Sequence, residues 1–225
     1  MLYIVGTPIG NLGDIGLRAL QALRDADVIV CEDSRVTKKL LFHYEITQKQ
    51  MISYDEFSHN QNYPKIIDAL LANKAVALVS DAGMPCISDP GSYLVRCIRD
   101  QYTDIAVQSI PGPTALTTAL AVSGVDTTSG FLFLGFPPHK KGRETFFTSL
   151  QKKSEICNVI CFYESSHRIL DALERLDFVH CTICLCRELT KAFEQVLTGS
   201  ASELKQSLEQ HVEQQKGEFV VILRF

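Results

Sequence analysis

Short continuous apolar runs, alternating with stretches of helical period, constrain this chain more than any other feature. They lie at 2–5, 28–31, 75–80, 105–110, 131–134, 157–163, 181–186 and 219–223. Runs rich in Val, Ile and Phe, without polar alternation, are what strands need when both of their faces are covered. Leu17, Leu20 and Leu23 repeat at helical spacing behind Asp14, which is expected to cap them, and Ile66, Ile67, Leu70 and Leu71 do the same before Ala75. Strand and helix in alternation predict a layered α/β chain with helices flanking its sheets.

The segment IPGPTA, residues 110–115, holds two prolines and a glycine and ends a strand abruptly, so it is expected to divide a first α/β domain (1–110) from a second (111–225). Beyond it the strands look longer and more hairpin-like, with EQVLTGS leading into a helix and EFVVILRF closing the chain. Apolar residues make up 46% and charged residues 21%, which excludes collagen, coiled coil and disorder. With 22 basic against 26 acidic side chains the formal charge is −4, so no global positive field draws in nucleic acid and any RNA contact must be local. No window approaches 18 uninterrupted apolar residues, and MLYIVGTPIGN lacks the marks of a signal peptide, so a cytoplasmic protein is expected. The eight cysteines lie mostly inside apolar runs, as buried thiols of a reducing compartment would, and no disulfide framework is expected. Cys181, Cys184 and Cys186 come nearest to a metal pattern, but strand alternation sets Cys181 on the opposite face, and no metal site is expected.

Several strands end in glycine and proline loops: GTPIGNLGD after Val5, SDAGMPCISDPG after Val79, PGPTA after Ile110 and GFPPHKKGR after Leu134. Ligands of open α/β sheets sit at the carboxyl ends of strands, and glycines there let a ligand approach the backbone, so the loops are expected to share one cleft. A dinucleotide fingerprint is excluded by spacing: Gly6, Gly10 and Gly13 read G-x3-G-x2-G, and Pro8 removes an amide that a phosphate cradle would use.

Seven segments, in order, carry a specific resemblance: TPIGNLGDIGLRAL (7–20), EDSRVTKKLL (32–41), SDAGMPCISDPG (80–91), IPGPTALTTALAVSG (110–124), FLGFPPHK (133–140), FYESSHR (162–168) and RELTK (187–191). Together they resemble the ribosomal RNA small subunit methyltransferase I family of the tetrapyrrole methylase superfamily, from Leu2 to the final strand. The resemblance implies a two-domain α/β methyltransferase, normally a homodimer, with S-adenosylmethionine in an interdomain cleft. The implied substrate is a cytidine 2′-hydroxyl of 16S ribosomal RNA. Cofactor contacts are expected from Pro8, Asp81, Ala82, Gly83, Met84, Ile87, Pro111, Thr114, Ala115, Tyr163 and Leu189. The chain departs from the family at Gly6, where proline is frequent, at Ser166, which interrupts YESPHR, and at DEFSHN (55–60). The helical extension that members commonly carry after the last strand is expected to be absent, leaving fewer RNA contacts.

A ribose hydroxyl is a weak acid, so a carboxylate placed to take its proton would help the transfer. Asp33 and Glu164 are the expected catalytic acids, with Glu188 as a third candidate and His167 as a base or an orienting group. A structural ion pair is the competing reading for each. RNA is expected to meet Arg35, Lys38, Lys39, Arg143, Arg168, Arg187 and Lys191, with Lys140 and Lys141 nearby and Tyr54 or Phe57 stacking on a base. Two alternatives stay open: methylation of a tetrapyrrole or a protein on the same fold, and a non-catalytic RNA-binding assembly factor. EDSR, YESSHR and RELTK resemble the RNA branch and weigh against the first.

Overall fold

The computed structural model describes residues 1–55 and 58–225, and the chain divides into two compact units, Met1–Thr114 and Ala115–Phe225. In the first unit β1 (Leu2–Val5), α1 (Leu17–Asp25), β2 (Val28–Cys31), α2 (Ser34–His43), β3 (Gln50–Ser53), α3 (His59–Leu71), β4 (Val76–Val79), α4 (Ser92–Gln101) and β5 (Val107–Ile110) follow in turn. The five strands form a wholly parallel sheet in the order β3-β2-β4-β1-β5. Its three inner strands, β1, β2 and β4, are apolar throughout because both of their faces are covered. Leu2, Val28, Val30, Val76 and Leu78 pack with Ile66, Leu70, Leu94 and Ile98 of α3 and α4, whereas Val5, Ile29, Cys31, Ala77 and Val79 pack with Ala19, Leu23 and Leu41 of α1 and α2. The helices that follow the neighbouring strands β1 and β4 therefore lie on opposite faces, which makes their carboxyl ends a topological switch point.

Two local expectations change. Asp14 does not cap α1: the Asn11 side chain accepts from the Gly13 amide and closes a short turn at Leu12–Asp14, and Gly16 precedes the helix without a side-chain cap. Leu17, on that first turn, is 85% exposed, while Leu23 is fully buried. The strand β3 was invisible as an apolar run because QMIS is an edge strand, bonded only to β2 and burying only Ile52.

The second unit contains α5 (Ala115–Ser123), β6 (Leu132–Phe133), α6 (Arg143–Thr148), α7 (Leu150–Ser154), β7 (Val159–Ser165), α8 (Ile169–Leu176), β8 (Thr182–Arg187), β9 (Gln195–Gly199), α9 (Ala201–Gln210) and β10 (Glu218–Arg224). Its mixed sheet runs β6-β7-β10-β8-β9, with only β6 and β7 parallel. The last strand is central, bonded to β7 on one side and β8 on the other, which explains the unbroken FVVIL run. On one face Ile160, Phe162, Ile183, Leu185, Phe219 and Val221 pack with Phe147, Leu150, Leu173 and Leu208. Cys181 packs on this face, whereas Cys184 and Cys186 point to the other, where the Cys186 sulfur lies 3.9 Å from the Ala119 carbonyl of α5. All eight thiols are free. A reciprocal pair between Ser200 and Glu203 caps α9. Helices flanking both sheets are the architecture that the alternation predicts.

Phe162 is fully buried, with the rings of Phe146 and Phe147 edge-on to it at 5.6 and 6.0 Å. Phe162→Ala is expected to lower unfolding free energy by about 3–5 kcal/mol in urea titration. Phe178→Ala, at an 86% exposed position, is expected to change it by less than about 0.5 kcal/mol. Equal effects would contradict this placement of the core.

Candidate active site

Parallel strands deliver their following loops to one edge, so the segments after β1, β2, β4 and β5 meet at the carboxyl end of the first sheet. The Thr7 hydroxyl, 1% exposed, is shared between the carbonyls of Ser80 and Gly83, each at 3.3 Å. Thr7 and Gly83 also exchange backbone bonds of 2.8 and 3.2 Å. On the other side of β1 the Gly6 amide donates to the Ile110 carbonyl at 3.0 Å, and a Cβ on Gly6 would stand 2.7 Å from the backbone of Gly112. These two loops touch through backbone alone, and only glycine at both positions permits it. Gly83 has a φ of +82°, the left-handed region that a β-branched residue occupies only under strain, so its substitution disturbs the loop whether or not a ligand is bound.

The expected cofactor residues of this unit are thereby gathered. Pro8 and Gly83 are buried at the weld, and Met84 lies so close that its sulfur would be 2.6 Å from a Cβ on Gly6. Asp81, Ala82 and Ile87 are exposed on the same loop, and Pro111 and Thr114 flank the Gly112–Pro113 step. Ala115, Tyr163 and Leu189 belong to the second unit.

This edge is acidic. Asp33 caps α2, accepting from the Arg35 amide at 2.8 Å, and its carboxylate also takes the Arg35 guanidinium at 2.6 Å. These bonds hold Asp33 down at about 2. Asp81 accepts from the Asp33 amide at 3.0 Å, and burial together with its acidic neighbours raises both Asp81 and Glu32. Asp89 is pushed up to about 7, first by burial and then by the charge of Glu32, with a hydrogen bond from Ser80 opposing the shift. Carboxyls that resist ionising beside one another repel a phosphate and favour a cation.

In the second unit Glu164 is fully buried and its oxygens are engaged: Arg143 Nη2 donates to one at 2.9 Å, and the Ser165 amide donates at 2.7 Å to the other, which also lies 2.9 Å from Arg168 Nε in an ion pair while that Nε donates to the Ser165 hydroxyl. Glu164 is thus the anchor of an ion network, not the exposed base expected from YESSHR. Arg143 is 5% exposed, also binds Asp171 at 2.7 Å and sits over the Phe147 ring, so it does not reach RNA as expected. Arg187, 7% exposed, donates to the carbonyls of Lys216, Phe193 and Glu213 at 2.7, 3.0 and 3.0 Å and ties loops together instead of gripping RNA. Lys191 bridges Glu188 and Glu218. Arg35, Lys38, Lys39 and His167 are exposed. Tyr54 is 2% exposed, which removes it as a stacking surface, and Phe57 lies outside the described residues. Tyr163 stacks with Phe133 and Phe136 at 4.9 and 5.2 Å, and Leu189 is buried between two left-handed residues, Glu188 and Thr190. The register sets Val220 opposite both Tyr163 and Cys186, so YESS and REL leave the second sheet at the same edge.

A family profile described as Tetrapyrrole (Corrin/Porphyrin) Methylases matches residues 1–205. Among curated proteins named Ribosomal RNA small subunit methyltransferase I, the one from Thermotoga maritima is 43% identical over 227 residues, covering 99% of this chain and 97% of the relative. The one from Hydrogenobaculum sp. is 42% identical over 225 residues, covering 99% and 94%. This chain belongs to the ribosomal RNA small subunit methyltransferase I family. Solved structures of the wider tetrapyrrole methylase fold agree: diphthine synthase superposes with a TM-score of 0.73 at 16% identity, covering 99% of this chain and 89% of that one. A cobalt precorrin-4 methyltransferase superposes at 0.70 with 16% identity, covering 99% and 94%. The match takes in 97% of the Thermotoga relative, against 76% of the one from Vibrio cholerae. No helix among the described residues is long and apolar enough to cross a membrane.

Sequence reasoning missed Thr7, Ser80 and Asp89, although all three lie in quoted motifs, because the role of Thr7 and Ser80 comes from a bond between residues far apart in sequence and that of Asp89 from burial beside Glu32. The raised carboxyl gives a test. Asp89 folds with its pKa above the ordinary value, so between about 4 and about 7 the unfolded chain ionises it first and stability falls as pH rises, then levels off. Asp89→Asn is expected to raise the melting temperature at pH 8 and to lose that gain by pH 4. An identical shift at both pH values in thermal melts would contradict the assignment.

Proposed function

We propose that this protein transfers the methyl group of S-adenosylmethionine to the ribose 2′-hydroxyl of a cytidine in 16S ribosomal RNA. The observation that carries the reading is identity of 42–43% along nearly the whole chain to relatives named for small-subunit ribosomal RNA methylation. The fit of the donor is supported by the first unit's edge: a methyl donor that is cationic at sulfur and at its amino group suits a switch point lined by Asp81, Asp89 and Glu32. Pro8, the Asp81–Ile87 loop, Pro111 and Thr114 would hold it there. When bound, the donor supplies an electrophilic methyl carbon, which bonds to O2′ as the carbon–sulfur bond breaks and the hydroxyl loses its proton.

The chain's own contribution is mainly positional. Bonds from Thr7 and the Gly6–Gly112 contact fix the loops before substrate arrives, and holding reactants in line at near contact supplies much of the rate. Acidic groups at the edge hold a cation more strongly than the neutral thioether left after transfer, which favours product release. Asp33, kept near 2, is too weak a base to take the proton and instead orients Arg35. Asp89, at about 7, is matched in strength to accept it and replaces Glu164 in that role, while His167 orients the ribose. Arg35, Lys38 and Lys39, exposed at the start of α2, meet RNA phosphates. A cytoplasmic homodimer completes the reading, since a second copy doubles the cationic surface available to a long RNA.

Labelled methyl transfer to small subunits from a strain lacking the activity, followed by mapping of ribose methylation, tests it. One 2′-O-methylcytidine is expected; transfer to a base or protein, or no transfer, would overturn it. In single-turnover assays across pH, Asp89→Asn should slow transfer about a hundredfold and remove a pH limb near neutrality, while Asp33→Asn stays within about tenfold of the parent.

A further inference from the structure

The second unit carries an open pocket of about 420 Å³ that the donor does not require. Its floor is the ion network around Asp171, and its rim is His139, Lys140 and His167. Most acceptors on the floor are engaged by guanidinium groups. Asp171 takes Arg175 Nε at 2.9 Å on one oxygen and Arg143 Nε at 2.7 Å on the other, Glu144 pairs with Arg175, and Glu164 behind them takes Arg143 and Arg168. Donors, by contrast, are left over. Arg168 Nη1 is buried with no acceptor, and the side chains of Lys140, His139 and His167 have no hydrogen bond or ion pair among the described residues. Four cations, Lys140, Arg143, Arg168 and Arg175, stand against three carboxylates, Glu144, Glu164 and Asp171, which leaves one positive charge before either histidine is protonated.

We infer that this cavity seats one phosphodiester of the RNA substrate, a deepening that rests on the reading given under Proposed function. A site with buried and exposed donors to spare and a surplus positive charge selects a group that accepts hydrogen bonds and carries negative charge. A nucleobase edge presents donors as well and would leave them unmatched. A phosphodiester carries one negative charge and several acceptor oxygens, equal to the surplus here, and a guanidinium beside an ammonium is the pairing that binds it well. The open rim of exposed side chains suits a polymer that continues past the cavity. Arg168 thus meets RNA through Nη1 while its Nε stays on the Ser165 hydroxyl beside Glu164, and Arg143 acts as a positioning residue that holds the floor.

The test uses the full chain with His139→Gln and Lys140→Gln combined, both at exposed positions that leave the fold intact. Anisotropy with a labelled fragment of small-subunit ribosomal RNA, repeated across salt, is expected to show affinity falling several-fold and the slope of log K against log salt shrinking by about one. Affinity for S-adenosylmethionine by calorimetry should not move. Parental RNA affinity and slope in a variant of a protein that methylates small subunits would overturn the phosphodiester site and leave the methyltransferase reading standing. A parent protein that neither binds nor methylates the RNA would overturn both. If inorganic phosphate shifts the His139 and His167 ring signals while RNA binding is indifferent to the variant, the cavity serves a free anion and the RNA assignment falls.

Discussion

The contact between the backbones of Gly6 and Gly112, with the Thr7 hydroxyl bridging Ser80 and Gly83 beside it, is the constraint on which the rest of the first unit depends. A parallel sheet brings its loops to one edge whatever their sequence, but it does not join them. Here the loops after β1, β4 and β5 are joined by main-chain bonds and by side chains too small to separate them. The consequence is a rigid rim at the switch point, where a ligand meets backbone already in place and little conformational entropy remains to be lost on binding.

Charge is divided between the units in a way that the net value of −4 hides. The first unit's edge concentrates carboxyls, two of them raised by mutual repulsion and burial and Asp89 raised furthest. The second unit's cavity concentrates guanidinium groups around three carboxylates, with a cation in excess. Breaking that network by removing one partner would strand a buried charge, which typically destabilises by about 3–5 kcal/mol. An acidic chain can therefore address a polyanion, provided the contact is confined to such a patch and to the exposed cations of α2.

The strands of both cores were legible because continuous Val, Ile and Phe runs have few other uses in a soluble chain. QMIS was not, since an edge strand with one buried residue has no such signature. Asp14 reads as a cap from its position alone, but Asn11 takes the turn first and the helix starts two residues later. The site divided along similar lines. Glycine and proline loops marked the switch point, because backbone conformation writes itself into residue type. Glu164, Arg143 and Arg187 are buried and bonded to protein partners, which their motifs do not reveal, since a charged residue in a motif looks the same whether it faces solvent or a buried partner. Thr7 went unnoticed because its partners are close in space and distant in sequence, and Asp89 because its burial is not written in residue type.

The central claim is that backbone contact between the loops after β1 and β5 makes the donor site. Gly112→Ala places a Cβ 2.8 Å from the Gly6 carbonyl and must push the two loops apart without altering any charge. Calorimetric titration of this variant with S-adenosylmethionine, alongside circular dichroism to confirm that it folds, measures the effect directly. A folded protein whose affinity for the donor has dropped tenfold or more is the result expected here, by about 1.4 kcal/mol. A folded variant that binds with the parent's affinity would contradict it.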